Sequence, residues 1–219
     1  MIISVIKRFP FFRRYSTKSH SKWWANRNID WKKDYLATWK HPHRYMITAV
    51  LKTLPWYSLI EIGCGPGPNL VNIIKGLPKR QLGGIDVNPD AIKLATEVMQ
   101  GGVFKVNSAD DIMMSDKSTD VILSDRTLAY VGPLEIDRYI AESRRLARKY
   151  LVLCEFHHES FWARLKLRLF SGLHAYDYRK LLAKHDFYDV QIYKVPPEGW
   201  PDNDYAEFSY IIIAKAPSR

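Results

Sequence analysis

The sequence predicts an α/β domain built on a doubly wound, mostly parallel sheet, and three observations carry that prediction. Short apolar runs alternate with helix-compatible stretches along most of the chain. The first run, Leu-Ile-Glu-Ile at residues 59–62, breaks directly into Gly63, Gly65 and Gly67. The next, Leu-Gly-Gly-Ile-Asp-Val at residues 82–87, comes about 20 residues later and carries Asp86 at its end. Glycine has no Cβ and tolerates positive φ, so a strand running into a glycine-lined bend lets its backbone approach a ligand closely. An acid at the end of the following strand can take two ribose hydroxyls. The two strand ends together read as a nucleoside-binding site.

The remaining elements follow in order. Residues 31–54 are helix-compatible apart from Pro42, and Pro55 closes the stretch. The first strand, 58–62, leads into a helix through Leu70, Val71, Ile73 and Ile74, and the second, 81–86, precedes a helix over 90–99 that opens at Pro89. Strands are expected at 102–106, 120–124 and 150–155, with a helix at 134–148 between the last two. A helix over 176–184, with Asp177 as a candidate N-cap, precedes strands at 190–195 and 207–215. The count is seven strands.

A chain of 219 residues with 47% apolar residues fits one domain with an ample core. Cys64 and Cys154 lie in apolar strand-end contexts without C-x-x-C spacing, as buried thiols in a reducing compartment would. No apolar stretch approaches the ~20 residues of a membrane span. The formal charge of +10 is concentrated at the start. Residues 1–50 hold eleven Lys and Arg against Asp30 and Asp34 alone, so residues 1–30 form a basic arm ahead of a single domain at 31–219. Such an arm suits a polyanion, an anionic membrane surface or a solvated leader. The apolar-basic mixture of residues 1–20 is compatible with an extension packed on the domain, an interfacial segment or an organelle transit peptide. A cytoplasmic location is expected, with organelle targeting or membrane-surface attachment through residues 1–20 as the alternatives.

The pattern Glu61-x-Gly63-x-Gly65-x-Gly67 resembles the first motif of class I S-adenosylmethionine-dependent methyltransferases, and Asp86 falls where that family keeps its ribose acid. A dinucleotide fingerprint is the poorer fit, because Pro68 occupies the slot of its third glycine. The resemblance runs from about residue 39 to the C-terminus. It implies a Rossmann-like sheet of seven strands whose last strand inserts antiparallel between the fifth and sixth, with an N-terminal helical extension and S-adenosyl-L-methionine as cofactor.

The same resemblance distributes the cofactor contacts. The bend Gly63, Cys64, Gly65 and Gly67 would approach the methionine portion, with Glu61 anchoring the loop or meeting the ammonium and Asn69 adding a hydrogen bond. Asp86 would hold the ribose and Val87 lie beside the adenine. At the third strand end, Ala109 aligns with the family's Gly-Asp-Ala stretch and leaves Ser108 where an aspartate is usual, so Asp110 would substitute at the adenine amine. Ser124 and Asp125, with Arg126, would face the methyl-transfer region. Arg44 lies 19 residues before Gly63, where small-molecule O-methyltransferases place an arginine against the cofactor carboxylate.

Methyl transfer from a sulfonium needs alignment more than acid–base help, so a base is required only by some acceptors. His157 and His158, just after the fifth strand, are the candidate bases; no metal ligand set is present at recognisable spacing. Trp23, Trp24, Trp31 and Trp39, interleaved with basic residues, read as a helical lid, with base stacking or lipid contact as alternatives. The leading functional expectation is methylation of an O or N acceptor on a small molecule. Methylation of nucleic acid (RNA) through the basic arm is the alternative, although Ser-Asp-Arg-Thr at 124–127 lacks the Pro-Pro-aromatic signature of base-amine enzymes. A cofactor-binding module without turnover is a third, weaker option.

Overall fold

The computed structural model describes residues 20–200 and 206–218. Seven strands form one sheet: β1 Ser58–Ile62, β2 Gln81–Asp86, β3 Val103–Val106, β4 Thr119–Asp125, β5 Ala147–Phe156, β6 Tyr188–Lys194 and β7 Ser209–Lys215. Their order is β3-β2-β1-β4-β5-β7-β6. Pairing is parallel from β3 across to β5, and β7 lies antiparallel between β5 and β6. Strand order reverses between β1 and β4, which opens a crevice beyond their carboxyl ends, where ligands bind in open α/β sheets. The helices are α1 His20–Ala25, α2 Trp31–Asp34, α3 Pro42–Lys52, α4 Pro68–Gly76, α5 Pro89–Val98, α6 Ile136–Leu146, α7 Phe161–Ser171 and α8 Tyr178–Lys184.

Strand parity explains why both faces of the sheet carry helices. Ile60, Ile62, Ile122, Leu151, Leu153 and Ile212 point to one side, where α6 and α8 cover them with Ile136, Ile140, Leu146 and Leu182. The alternate residues Leu59, Val121, Leu123, Val152, Ile211 and Ile213 meet Ile47 and Leu51 of α3, Leu70 and Ile73 of α4 and Ile92 of α5 on the other side. Strands buried on both faces must be apolar in continuous runs, the signal read from the sequence. A third, smaller cluster joins Phe156, Phe208, Ala129 and Ala175 to Leu167 of α7.

Several boundaries differ from expectation for local reasons. The helix expected over 134–148 spans Ile136–Leu146, because Ala147 already pairs with Thr119 and starts β5. The stretch 31–54 is three pieces: α2, a short 3₁₀ turn at Leu36–Lys40, and α3, which starts with Pro42 at its first turn. Helix α7, Phe161–Ser171, lies between the fifth strand and the helix expected over 176–184, where no element was expected. Asp177 caps α8, accepting from the Lys180 amide at 3.3 Å.

Within the arm expected over 1–30, the described residues 20–30 lie against the domain. Asn88, after β2, is the clamp: its Oδ1 accepts the amides of Asp90 and Ala91 at 3.0 and 3.1 Å, capping α5. Its Nδ2 donates to the carbonyls of Trp24 and Arg27 at 2.9 and 3.1 Å. One buried amide thus fixes a helix start and the end of α1 together. Asn88→Ala removes both roles and should destabilise the protein by about 1–2 kcal/mol, the cost of a lost cap. It should also accelerate tryptic cleavage at Lys22 and Arg27 relative to the rest of the chain. Unchanged cleavage there, followed by limited proteolysis, would show that α1 is held by other contacts.

Candidate active site

The bend after β1 is built for close approach. Gly63, Gly65 and Gly67 have φ of 71°, 53° and 82°. A Cβ on Gly63 would meet the Thr127 Oγ1 at 2.0 Å, so the two loops after β1 and β4 close on each other only because that residue is glycine. Gly67 precedes α4 as its left-handed N-cap and stands outside the cavity wall. Asp86 locks the bend to β2: its Oδ2 accepts the Gly65 amide at 2.8 Å and its Oδ1 accepts the Asn88 amide at 2.9 Å. Asp86 lines the cavity together with Gly63, Cys64, Gly65 and Val87. Burial raises the Asp86 pKa against these backbone hydrogen bonds.

The floor of the cavity is a buried polar network centred on Asp125, whose side chain is 6% exposed. Its Oδ2 accepts from His43 Nε2 at 3.0 Å, Arg44 Nη1 at 3.1 Å and Asn69 Nδ2 at 2.9 Å. Asn69 Nδ2 also donates to Glu61 Oε1 at 2.6 Å, and its Oδ1 accepts from Arg44 Nη1 at 2.6 Å. Arg44 is fixed from behind by Thr38, whose carbonyl and hydroxyl accept from Nε and Nη2, each at 3.0 Å. Burial pushes the Asp125 carboxyl up, but His43, Arg44 and Asn69 outweigh it and hold the group well below the usual carboxylate range. Burial dominates at Glu61, whose pKa is pushed up to about 8. Burial also lowers the His43 pKa, despite the opposing pull of Asp125. Two buried oxygens of this network, Glu61 Oε2 and Asp125 Oδ1, have no hydrogen-bond partner.

Glu155 performs the equivalent task behind the β4 loop. It accepts from the Ser124 hydroxyl at 2.8 Å and from the amides of Thr127, Leu128 and Ala129 at 2.9, 3.0 and 3.2 Å. Ser124 is therefore part of the loop's support and does not line the cavity. Burial raises the Glu155 pKa to about 7 even against those donors.

Aromatic rings wall the rest of the cavity. Trp24 and Trp31 line it, with Trp24 packed on Tyr130 at 5.2 Å and Trp31 on Tyr35 at 5.2 Å; of the four tryptophans expected as a lid, Trp23 and Trp39 do not line the cavity. Trp200 stacks on His43 at 3.8 Å with 17° between planes. Arg126 lies against Trp200 at 4.0 Å and Phe156 at 3.8 Å, with φ at 56° and its Nε buried without a partner. Among the described residues it makes no ion pair.

Other expected site residues fall elsewhere. Ala109 and Asn107 line the β3 end, but Ser108 and Asp110 hydrogen-bond to each other and Asp110 turns to Arg138 at 3.3 Å. His157 and His158 lie outside the cavity. His157 Nδ1 sits 3.0 Å from the Tyr176 carbonyl, and His158 Nδ1 accepts the Ser160 amide at 3.0 Å, so both shape the chain entering α7 and α8. Sequence reading missed His43, Tyr35, Tyr139 and Trp200 as cavity residues.

Residues 59–150 match the family model of a methyltransferase domain. Sheet order, the glycine bend and the acid after β2 agree with that match, and residues 59–150 carry a methyltransferase domain within a Rossmann-like methyltransferase fold. Similar solved structures agree in fold. A chain of the Haloferax volcanii complex between the Trm112 methyltransferase activator and a methyltransferase has a TM-score of 0.66 at 16% identity, covering 90% of this chain and 97% of that one. A SAM-dependent methyltransferase of Thermotoga maritima gives 0.60 at 20% identity over 84% and 93%. Geranyl diphosphate C-methyltransferase of Streptomyces coelicolor gives 0.62 at 12% over 79% and 76%. An uncharacterized 37.1 kDa protein in a Streptomyces fradiae transposon is 28% identical over 121 residues, 52% of this chain and 34% of that protein. The chain spans about a third of the length of that relative.

The raised Glu61 pKa has a consequence for stability. Between its ordinary 4.5 and about 8, the folded chain holds a proton that the unfolded chain has released, so stability falls as pH rises through that window. Glu155 adds a loss of the same sign up to about 7, whereas Asp125 stabilises at neutral pH and loses that contribution only in strong acid. The urea midpoint of the ligand-free protein should therefore decline across this window. Glu61→Gln should remove much of the decline; an equal decline in the variant would contradict the assignment.

Proposed function

We propose that the protein transfers a methyl group from S-adenosyl-L-methionine to an O or N acceptor on a small molecule by in-line displacement. The observation that carries this reading is the pair of buried, unpartnered carboxyl oxygens on Glu61 and Asp125, two residues that line a cavity bounded by the glycine bend and Asp86. A buried acceptor without a donor is costly, and an ammonium group would satisfy both. The residues fit such a donor: Glu61 and Asp125 would receive its ammonium, the backbone at Gly63 and Gly65 its methionine stem, and Asp86 its ribose hydroxyls. Asn107, Ala109 and Val87 would flank the adenine. Bound there, the donor supplies an already activated sulfonium methyl.

The chain's own work is then alignment and exclusion of water. Trp24, Trp31 and Tyr35 cover the cavity, and the β4 loop held by Glu155 presents Arg126 on the β5 side, away from the ribose and adenine end. That side, between Arg126, Trp200 and Tyr130, is the acceptor half of the cavity. No base is assigned, because His157 and His158 lie outside the wall. The RNA alternative gains little from the described part of the arm: Trp24 packs on Tyr130, and Arg27 covers the Trp23 and Trp24 rings at 4.4 and 4.8 Å.

Incubation with methyl-labelled S-adenosylmethionine and either a metabolite extract or total RNA tests the reading. Label is expected in a small-molecule fraction, and Asp86→Ala should reduce affinity for S-adenosylhomocysteine by at least about tenfold, the worth of two lost hydrogen bonds. Label confined to RNA would overturn the acceptor class. Unchanged affinity in Asp86→Ala would overturn the assigned donor site.

A further inference from the structure

Helix α7 carries its apolar residues on the wrong side for a helix facing water. Leu167 alone is buried, in the cluster with Phe156, Phe208 and Ala129. Phe161, Trp162, Leu169 and Phe170 are 59%, 75%, 72% and 62% exposed. At about 100° per residue, Phe161, Leu165, Leu169 and Trp162 share one outward arc, with Lys166 and Phe170 continuing it. Arg164 and Arg168 flank the arc, and the helix has no acid. The nearest acid on the preceding turn, Glu159, lies 4.0 Å from Arg179 of α8. An outward face of Trp, Phe and Leu with basic residues within and around it is the composition of a helix lying in a lipid headgroup region.

A second basic and apolar segment precedes α1 in the sequence. Residues 1–19 contain Lys7, Arg8, Arg13, Arg14 and Lys18 among Ile, Val and Phe, with no acid. They enter the described structure at α1, whose Trp24 packs on Tyr130. Tyr130 belongs to the short turn Leu128–Tyr130, and Ala129 of that turn packs with Leu167 of α7. Helices α1 and α7 therefore flank one turn, and Tyr130 of that turn lines the cavity.

We propose that the outward face of α7 docks the protein peripherally on an anionic membrane surface. Positive charge selects the anionic surface, and burial of the exposed rings and leucines in the headgroup region holds it. This is independent of which molecule accepts the methyl group.

Co-sedimentation of the full chain with vesicles provides the test. Binding to phosphatidylcholine containing phosphatidylglycerol should exceed binding to phosphatidylcholine alone by at least tenfold and weaken as salt is added. The exposed-face variants Trp162→Ser/Phe170→Ser and Leu169→Glu should each lose at least tenfold in vesicle binding while keeping the thermal midpoint and affinity for S-adenosylhomocysteine. Four results would overturn the proposal: no binding to either vesicle; equal binding to both; full retention in the α7 variants with loss only on deletion of residues 1–19; or a dimer in sedimentation velocity that the α7 variants dissociate, which would make a second copy the occupant of this face. Failure of the wild-type protein to bind S-adenosylhomocysteine would strike the proposed donor site and leave the vesicle result standing.

Discussion

The buried carboxylate of Asp125 is the constraint around which this site is organised. A charge so enclosed is tolerable only with partners, and here three elements supply them: His43 and Arg44 from α3, Asn69 from α4, and through Asn69 the Glu61 side chain of β1. Removing one partner of such a buried ionic group costs about 3–5 kcal/mol, because the other is left uncompensated. The network therefore holds α3 and α4 in register with the ends of β1 and β4, where the sheet changes direction. It also leaves one oxygen each of Glu61 and Asp125 unpartnered, which a network serving stability alone would not do.

Two further carboxylates extend the same device along the carboxyl edge of the sheet. Asp86 ties the glycine bend to the β2 loop, and Glu155 gathers three consecutive amides behind β4. Irregular loops at a cavity have backbone donors that no strand satisfies, and an inward carboxylate is an efficient partner for several at once. The outcome is a carboxylate-tied rim below a wall of aromatic rings: Trp24 and Trp31 from the first helices, Tyr130 from the turn after β4, and Trp200 from the β6–β7 connection.

The sheet was legible in the sequence because strands buried on both faces must be apolar throughout, and because helices opened by Pro68 and Pro89 separate them. Gly63, Gly65 and Asp86 were legible for a related reason, since close backbone approach and a strand-end acid leave few residue choices. The polar network was only half visible. Arg44, Glu61, Asn69 and Asp125 were each expected near the cofactor, but their mutual bonding is long-range, joining residues up to 82 apart when His43 is included. Glu155 looked like an ordinary strand residue. His157 and His158 were misleading because adjacency to β5 says nothing about direction: one side chain faces the Tyr176 backbone and the other folds onto Ser160. Helix α7 was hidden for the opposite reason, as its apolar residues face outward and its inward face holds little more than Leu167.

Asp125→Asn keeps the shape of the central side chain and removes its charge, so it isolates the claim that this carboxylate serves the donor's amino-acid end. Calorimetry would compare S-adenosylhomocysteine with 5′-methylthioadenosine, which lacks that ammonium and carboxylate. The account predicts that the substitution weakens the first by roughly 10–100-fold, the worth of one charge-assisted hydrogen bond, and changes the second by less than about twofold. Equal losses for both ligands, or none for either, would contradict it.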